Sequence, residues 1–167
     1  MSSTSPLKHY QEKILKLMIR QEQLLAEIYQ VFAEQFPEHN DLWGSMVLDE
    51  RKHAGWLQQL MDATPQQVVL FSEGRIKTYT METFVQGVAD KLSQARAGQF
   101  NLKQALACTL DLERSLIERN IFSHFTGMTE KSRNVMNFLA SETKNHQAKA
   151  QEIYQKAIAS KPPSREP

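Results

Sequence analysis

The feature that most constrains the fold is a helical stripe of apolar residues that recurs four times along the chain. The members of the first stripe are three or four positions apart, as on one face of an α-helix. They are Met18, Glu22, Leu25, Tyr29, Phe32 and Phe36, of which only Glu22 is charged. The 167 residues include only six glycines and six prolines, so few segments are interrupted by helix-breaking residues. We therefore expect an all-α fold, an antiparallel bundle of four long helices.

Prolines, glycines and capping residues set the expected helix ends. Proline is tolerated at a helix start but cannot continue a helix, so Pro6 and Pro37 place the first helix at about residues 7–36. The second is expected from Asn40 or Asp41 to about 61, and the third from about 101 to 125. The fourth follows Gly127, with caps offered by Thr129 and Ser132, and runs to about 159.

The remaining segments read as connections and tails. Residues 64–79 form a long connection whose apolar run, 68–71, is a candidate strand-like crossover. A shorter helix is expected over 80–95, with Thr80 as its cap, and Gly98 ends it. Residues 1–6 are expected to be flexible, and the proline-containing residues 160–167 to be disordered. The bundle domain is thus 7–159.

Charge and cysteine content exclude several function classes. The chain has 20 basic and 19 acidic residues, so no strong field attracts nucleic acid or an anionic membrane. Cys108 is the only cysteine, which excludes an intrachain disulfide and a Cys-x-x-Cys metal site. No apolar run reaches the roughly 18 residues of a membrane span, and the N-terminus lacks the apolar segment of a signal peptide. We expect a cytoplasmic protein.

An internal repeat places acidic and imidazole groups in all four stripes. Each half has one helix with a core glutamate, followed by a helix with a core glutamate and histidine; the residues are Glu22, Glu50 and His53, then Glu113, Glu142 and His146. The first two glutamates are 28 positions apart in one half and 29 in the other. Two such hairpins packed together would bring these groups to one depth of a bundle.

Carboxylates at one buried level would repel each other unless cations were present. Glu50 and His53 are three apart, so they project from one helix face and can bind the same metal. Oxygen and nitrogen ligands without thiolate suit iron or manganese, with zinc less expected. Alternatively, Glu50 and His53 form a buried hydrogen-bonded pair, and Glu142 with His146 a surface pair. Tyr29 either packs in the core or hydrogen-bonds a ligand carboxylate.

These motifs resemble the rubrerythrin-like branch of the ferritin-like superfamily. The residues that carry the resemblance, over about 7–159, are Glu22 with Tyr29, the segment Glu50-Arg51-Lys52-His53, Glu113, and the segment from Ser141 to His146. The resemblance implies two iron ions, with Glu22 and Glu113 as terminal ligands, Glu50 as a bridge and a histidine on each ion. It also implies peroxide reduction or iron oxidation, with Tyr29 near the reaction.

The fourth motif departs from the family pattern, in which a glutamate lies three residues before the histidine. That position is Thr143, and Glu142 is one residue earlier. We expect Glu142 to stand in as a ligand; the alternative is that the second bridging ligand is lost. With one cysteine, electrons would come from a separate donor protein, and a homodimer is expected. A degenerate, non-redox helper domain is the alternative function; an apolar ligand pocket has no specific support.

Overall fold

The computed structural model describes residues 6–63, 78–116 and 129–160, with side chains from residue 9 onward. Its helices are α1 (Pro6–Gln35), a 3-10 helix (Pro37–His39), α2 (Asn40–Ala63), α3 (Thr78–Arg96), α4 (Leu102–Ser115) and α5 (Glu130–Ala159). No strand occurs among the described residues. The all-α prediction is confirmed for this part of the chain, and no helix in it is long and apolar enough to cross a membrane.

Most predicted helix ends agree with the structure to within two residues. Phe36 leaves the helix ahead of Pro37 with φ −127° and ψ 68°. Thr129 caps α5 as expected, since its side chain accepts a hydrogen bond from the Ser132 amide. The Thr80 cap was wrong, because α3 already begins at Thr78. The predicted flexible N-terminus, 1–6, was wrong at Pro6, which begins α1. Residues 1–5, the predicted strand-like run 68–71 and residues 161–167 of the predicted disordered tail lie outside the described residues.

The third long helix ends earlier than its apolar stripe predicts. Leu116 has φ −55° and ψ 114°, which is outside the helical region, so the predicted continuous helix to about 125 was wrong at this residue. The Leu116 side chain is buried in the same core cluster as Leu112. Burial of this side chain therefore holds the chain where it leaves the helix, although no glycine or proline marks the position. Residues 117–128 lie outside the described part.

Contacts between side chains give the relative directions of the helices. Along α1 and α2, Phe32 packs on Trp43 and Glu22 lies near His53, so these helices are antiparallel. Glu50 with His146 and Trp56 with Phe138 show the same for α2 and α5. In α4 and α5, Glu113 lies near His146, while Leu102 and Ala157 line one groove, so this pair is antiparallel too.

Helix α3 packs alongside α1 and runs parallel to it. Lys13 pairs with Glu82 near the beginning of both helices, at 2.6 Å, and Glu27 pairs with Arg96 nearer their ends, at 2.7 Å. Because α2 is antiparallel to α1, α3 brings the chain back along the length of α2 before α4 starts. As a result α4 runs in the same direction as α2.

Two apolar clusters fill the core, and a polar layer separates them along the helix axes. In α1 one cluster takes residues from Tyr10 to Ile19 and the other from Leu24 to Ala33. In α2 the order is reversed, as the antiparallel direction requires: the second cluster takes Leu42 to Val47 and the first Ala54 to Leu60. The buried polar residues between them are Gln21, Glu22, Glu50, His53, Glu113, Thr143 and His146.

The capping box at the start of α4 yields a stability prediction. The Asn101 side chain accepts a hydrogen bond from the Gln104 amide at 2.9 Å, and the Gln104 side chain accepts one from the Asn101 amide at 3.0 Å. Asn101→Ala leaves the Gln104 backbone amide without its side-chain acceptor. The substitution should lower the free energy of unfolding by about 1 kcal/mol, measured by urea denaturation. Asn101→Asp keeps an acceptor and should cost much less; equal losses would contradict this.

Candidate metal centre

The first half of the polar layer joins α1 to α2. Glu50 and His53 lie one turn apart on the inner face of α2, and Glu22 faces them from α1. His53 Nδ1 is 2.9 Å from Glu50 Oε2 and 3.4 Å from Glu22 Oε2. All three side chains are at most 2% exposed. Two carboxylates and one imidazole nitrogen thus converge in a site that water hardly reaches.

The second half repeats this pattern with α4 and α5. His146 Nδ1 is 3.1 Å from Glu50 Oε1 and 3.6 Å from Glu113 Oε1. The rings of His53 and His146 stack with centroids 5.9 Å apart and an interplanar angle of 27°. The two imidazoles are therefore neighbours in one layer, each with its own terminal glutamate.

Glu50 belongs to both halves. Its Oε2 atom faces His53 and its Oε1 atom faces His146. Two sets of three possible ligands result, each with its ligand atoms within 4.8 Å of one another: Glu22, Glu50 and His53, and Glu50, Glu113 and His146. A carboxylate that offers one oxygen to each set is suited to bridge two ions.

Neighbouring donors fix the orientation of the terminal glutamates. The Tyr29 hydroxyl donates a hydrogen bond to Glu113 Oε1 at 2.6 Å, and the Gln21 side-chain amide donates one to Glu22 Oε1 at 3.2 Å. Both donors lie on α1. Of the two expectations for Tyr29, the structure has the hydrogen bond to a candidate ligand. Glu113 Oε2 is left without a hydrogen-bond partner among the described residues, as expected of an oxygen that binds a cation.

The carboxylates strongly perturb the two histidines. Burial lowers the pKa of His53, but the close Glu22 and Glu50 carboxylates outweigh it and raise the value to about 10. For His146 burial also lowers the pKa, and Glu113 and Glu50 raise it to about 11. Burial, with the nearby Glu113 charge, raises the pKa of Tyr29 well above its usual value. In the metal-free protein the imidazoles are thus protonated at neutral pH and partly neutralise the three carboxylates.

Unsatisfied polar atoms in this layer fit a bound cation. Among the described residues, Glu50 Oε1 and His146 Nδ1 are buried and 3.1 Å apart, which is close enough for an ion pair, but they lack the alignment of a hydrogen bond. Buried polar atoms are nearly always hydrogen-bonded, and an exception points to a missing water or ion. The oxygen and nitrogen donors, with no sulfur among them, match iron or manganese. The residues present therefore fit a pair of such ions.

A further group of possible ligands lies on the outer side of His146. His146 Nε2 is 3.2 Å from Asp49 Oδ2, and Glu142 completes this half-buried set. Burial raises the pKa of Asp49, but His146 and Lys52 outweigh it, so the net shift is downward. Sequence reasoning missed Asp49. Its position one turn before His53 is the signal that could have found it, because residues four apart share a helix face.

The structure brings five of the predicted ligands into the two inner sets: Glu22, Glu50, His53, Glu113 and His146. Glu142 falls in the outer set with Asp49, and its role as a ligand stays a prediction. Thr143 occupies the position where a second bridging glutamate is expected. It is buried in the layer, with 2% of its surface exposed.

The raised histidine pKa values predict how the stability of the metal-free protein depends on pH. Unfolded histidine titrates near 6.5, so the stabilisation from both imidazolium groups is complete below that pH and is lost as pH rises through the folded values of about 10 and 11. With chelator present, the free energy of unfolding should fall from pH 6.5 to 9, measured by urea denaturation. The double variant His53→Gln/His146→Gln should lose most of this slope. A flat or rising wild-type profile would contradict the prediction.

No protein-family model, curated protein or solved structure matches this chain. Its function must therefore be argued from the polar layer and the helices that build it.

Proposed function

We propose that the chain is a ferritin-like four-helix bundle that holds two metal ions, with iron preferred, and reacts with peroxide or oxygen or handles iron. The observation that carries the proposal is the position of Glu50, whose two carboxylate oxygens face two different buried sets of ligands. A glutamate in an ordinary buried ion pair needs only one such partner. Sharing between two equivalent sets is what a dinuclear centre requires.

Charge favours divalent or trivalent ions at this level. Three buried carboxylates are very costly without compensation. Protonated histidines compensate in part, but they leave buried atoms without hydrogen bonds. Two divalent cations would carry four positive charges against the three negative charges of the glutamates, and they would use those atoms as ligands. Metal binding requires neutral imidazoles, so the two histidines would release their protons when the ions bind.

The helix directions support the ferritin-like part of the proposal. α1 pairs with α2 and α4 with α5 as antiparallel hairpins, and a return along α3 precedes α4. In ferritin-like carboxylate proteins, single glutamates from two helices and a Glu-x-x-His motif from each of the other two converge in the bundle core. Here α1 and α4 supply the single glutamates, α2 supplies a full Glu-x-x-His motif, and α5 supplies His146 alone.

Each residue has a definite task in this proposal. Glu22 and Glu113 would each hold one ion, Glu50 would be shared between the two, and His53 and His146 would complete the two positions. Tyr29 orients Glu113 through its hydrogen bond and keeps its proton, because its pKa is raised. Two bound iron ions would supply the electrons for reduction of peroxide or oxygen. Electrons would be replenished by a separate donor protein, and a homodimer is the proposed assembly.

One feature favours a different class of function. Thr143 stands where a second bridging carboxylate is expected, so the centre has one carboxylate ligand fewer than the family pattern. This favours a second candidate, a helper domain without redox chemistry. Peroxide should oxidise Fe(II) bound to the protein well above the rate of a protein-free blank. Fully metallated protein that leaves its Fe(II) unchanged would support the helper.

Metal stoichiometry tests the proposal directly. Anaerobic titration with Fe(II) should give about two ions per chain. Glu50→Gln removes the shared carboxylate at nearly constant size, so it should weaken both positions and bring the stoichiometry well below one. Glu34→Gln, on the exposed face of α1, is the matched control and should retain two ions. Less than half an equivalent in the wild-type protein would reject the proposal.

Tyr29→Phe tests the role of the hydrogen bond to Glu113. The substitution keeps the buried ring and removes only the hydroxyl that holds Glu113 Oε1. We expect the affinity of the position formed by Glu50, Glu113 and His146 to fall about 10- to 100-fold, as for loss of other groups that orient ligands. Competition with a chelator would measure this change. Tyr154→Phe, outside the layer, should have no effect; unchanged affinity in Tyr29→Phe would exclude a positioning role.

A further inference from the structure

A groove at one end of the bundle lies apart from the polar layer. It forms where the connection between α1 and α2, the beginning of α4 and the end of α5 meet, and its volume is about 590 Å³. This volume is in the range of pockets that hold small molecules. Leu102, at the groove, lies about 16 Å from Glu113 along the axis of α4. The groove is therefore separate from the candidate metal centre.

The floor of the groove is apolar and continuous with the core. Leu102, Ile153 and Ala157 line it, and all three are partly buried against the cluster that contains Phe32 and Trp43. Their remaining surface faces the groove and is open to water. A concave apolar surface of this kind favours the binding of an apolar group, because contact removes both surfaces from water.

The rim of the groove is positively charged. Lys103 and Lys156 line it, and its lining residues include no acidic side chain. Lys156 pairs with Glu152 at 2.6 Å, so its charge is already balanced. Lys103 has no ion-pair partner among the described residues, and the first turn of α4, where it lies, contains no acidic residue. One uncompensated positive charge thus stands beside the apolar floor.

We propose that this groove binds a medium-chain fatty acid, with its carboxylate at Lys103 and its chain on Leu102, Ile153 and Ala157. A monocarboxylate supplies the single negative charge that matches one free lysine, and an unbranched chain covers the apolar floor. A neutral lipid would leave the charge of Lys103 without a partner, and a cationic one would be repelled. The proposal needs no bound metal, so it goes beyond the proposed function and is independent of it.

Calorimetric titration of the metal-free full chain with decanoate, below the concentration at which decanoate forms micelles, tests the inference. One decanoate should bind per chain. Octanoate and hexanoate should bind about two- to fourfold more weakly for each methylene group removed. Decyltrimethylammonium has the same chain with a positive head and should bind at least about fivefold more weakly than decanoate. Affinity that is independent of chain length, or equal for the two head groups, would overturn the inference.

Two variants separate the charge of the rim from the apolar floor. Lys103→Gln removes the free charge, so it should weaken decanoate about two- to fivefold and leave the affinity for uncharged 1-octanol unchanged. Ala157→Phe fills the groove and should abolish binding of both. Lys144→Gln, at another exposed lysine of α5, is the matched control and should bind decanoate as the wild type does. Wild-type affinity for decanoate in both Lys103→Gln and Ala157→Phe would overturn the inference.

Other occupants of the groove give distinguishable results. If decanoate binds only at protein concentrations where sedimentation shows a monomer, a second copy of the chain covers the groove and the inference is overturned. If it binds only after removal of residues 161–167, which follow Ser160 at the groove, that segment fills the groove and the inference is again overturned. A protein that binds two iron ions but no decanoate would overturn this inference and leave the dinuclear proposal standing.

Discussion

The structure depends on burying three glutamates at one level between two apolar clusters. Such a layer interrupts the core where all of the long helices meet, and it is tolerable only if positive charge accompanies it. In the metal-free chain the neighbouring carboxylates raise the pKa values of His53 and His146 to about 10 and 11, and the resulting imidazolium groups provide that charge. Two divalent cations in the same place would provide more positive charge.

The rest of the fold can be understood as the support of this layer. Aromatic packing of Phe32 on Trp43 fixes α1 against α2 near their connection. Lys13 and Arg96 bind α3 to the outer side of α1 at two well-separated points. The contact of Phe32 with Trp43 sets the height of α1 against α2, so that Glu22 meets His53. Asp49 and Tyr29 then orient the ring of His146 and the carboxylate of Glu113 from outside the inner sets.

The local part of this architecture was predictable from sequence. Apolar spacing and Pro37 defined α1. The recurrence of glutamate and histidine at matching intervals predicted six residues of one layer, and all of them except Glu142 lie in the two inner sets. Features set by packing between distant helices were not predictable. The spacing of Asp49 from His53 indicates a shared helix face, but its contact with His146 depends on how α2 packs against α5. Ion pairs between residues far apart in sequence hold α3 parallel to α1. α4 ends at Ser115 without a breaking residue because Leu116 is anchored in the core.

The asymmetry of the centre distinguishes this chain from an ideal twofold repeat. Glu50 on one side and Thr143 on the other give the same layer two chemically different faces. A crystal grown with Fe(II) and measured across the iron absorption edge would test the central claim most directly. The account predicts two anomalous peaks about 3.5–4 Å apart, one on each side of the Glu50 carboxylate. An anomalous map without a peak in this layer, with the three glutamates satisfied by protons or waters alone, would contradict it.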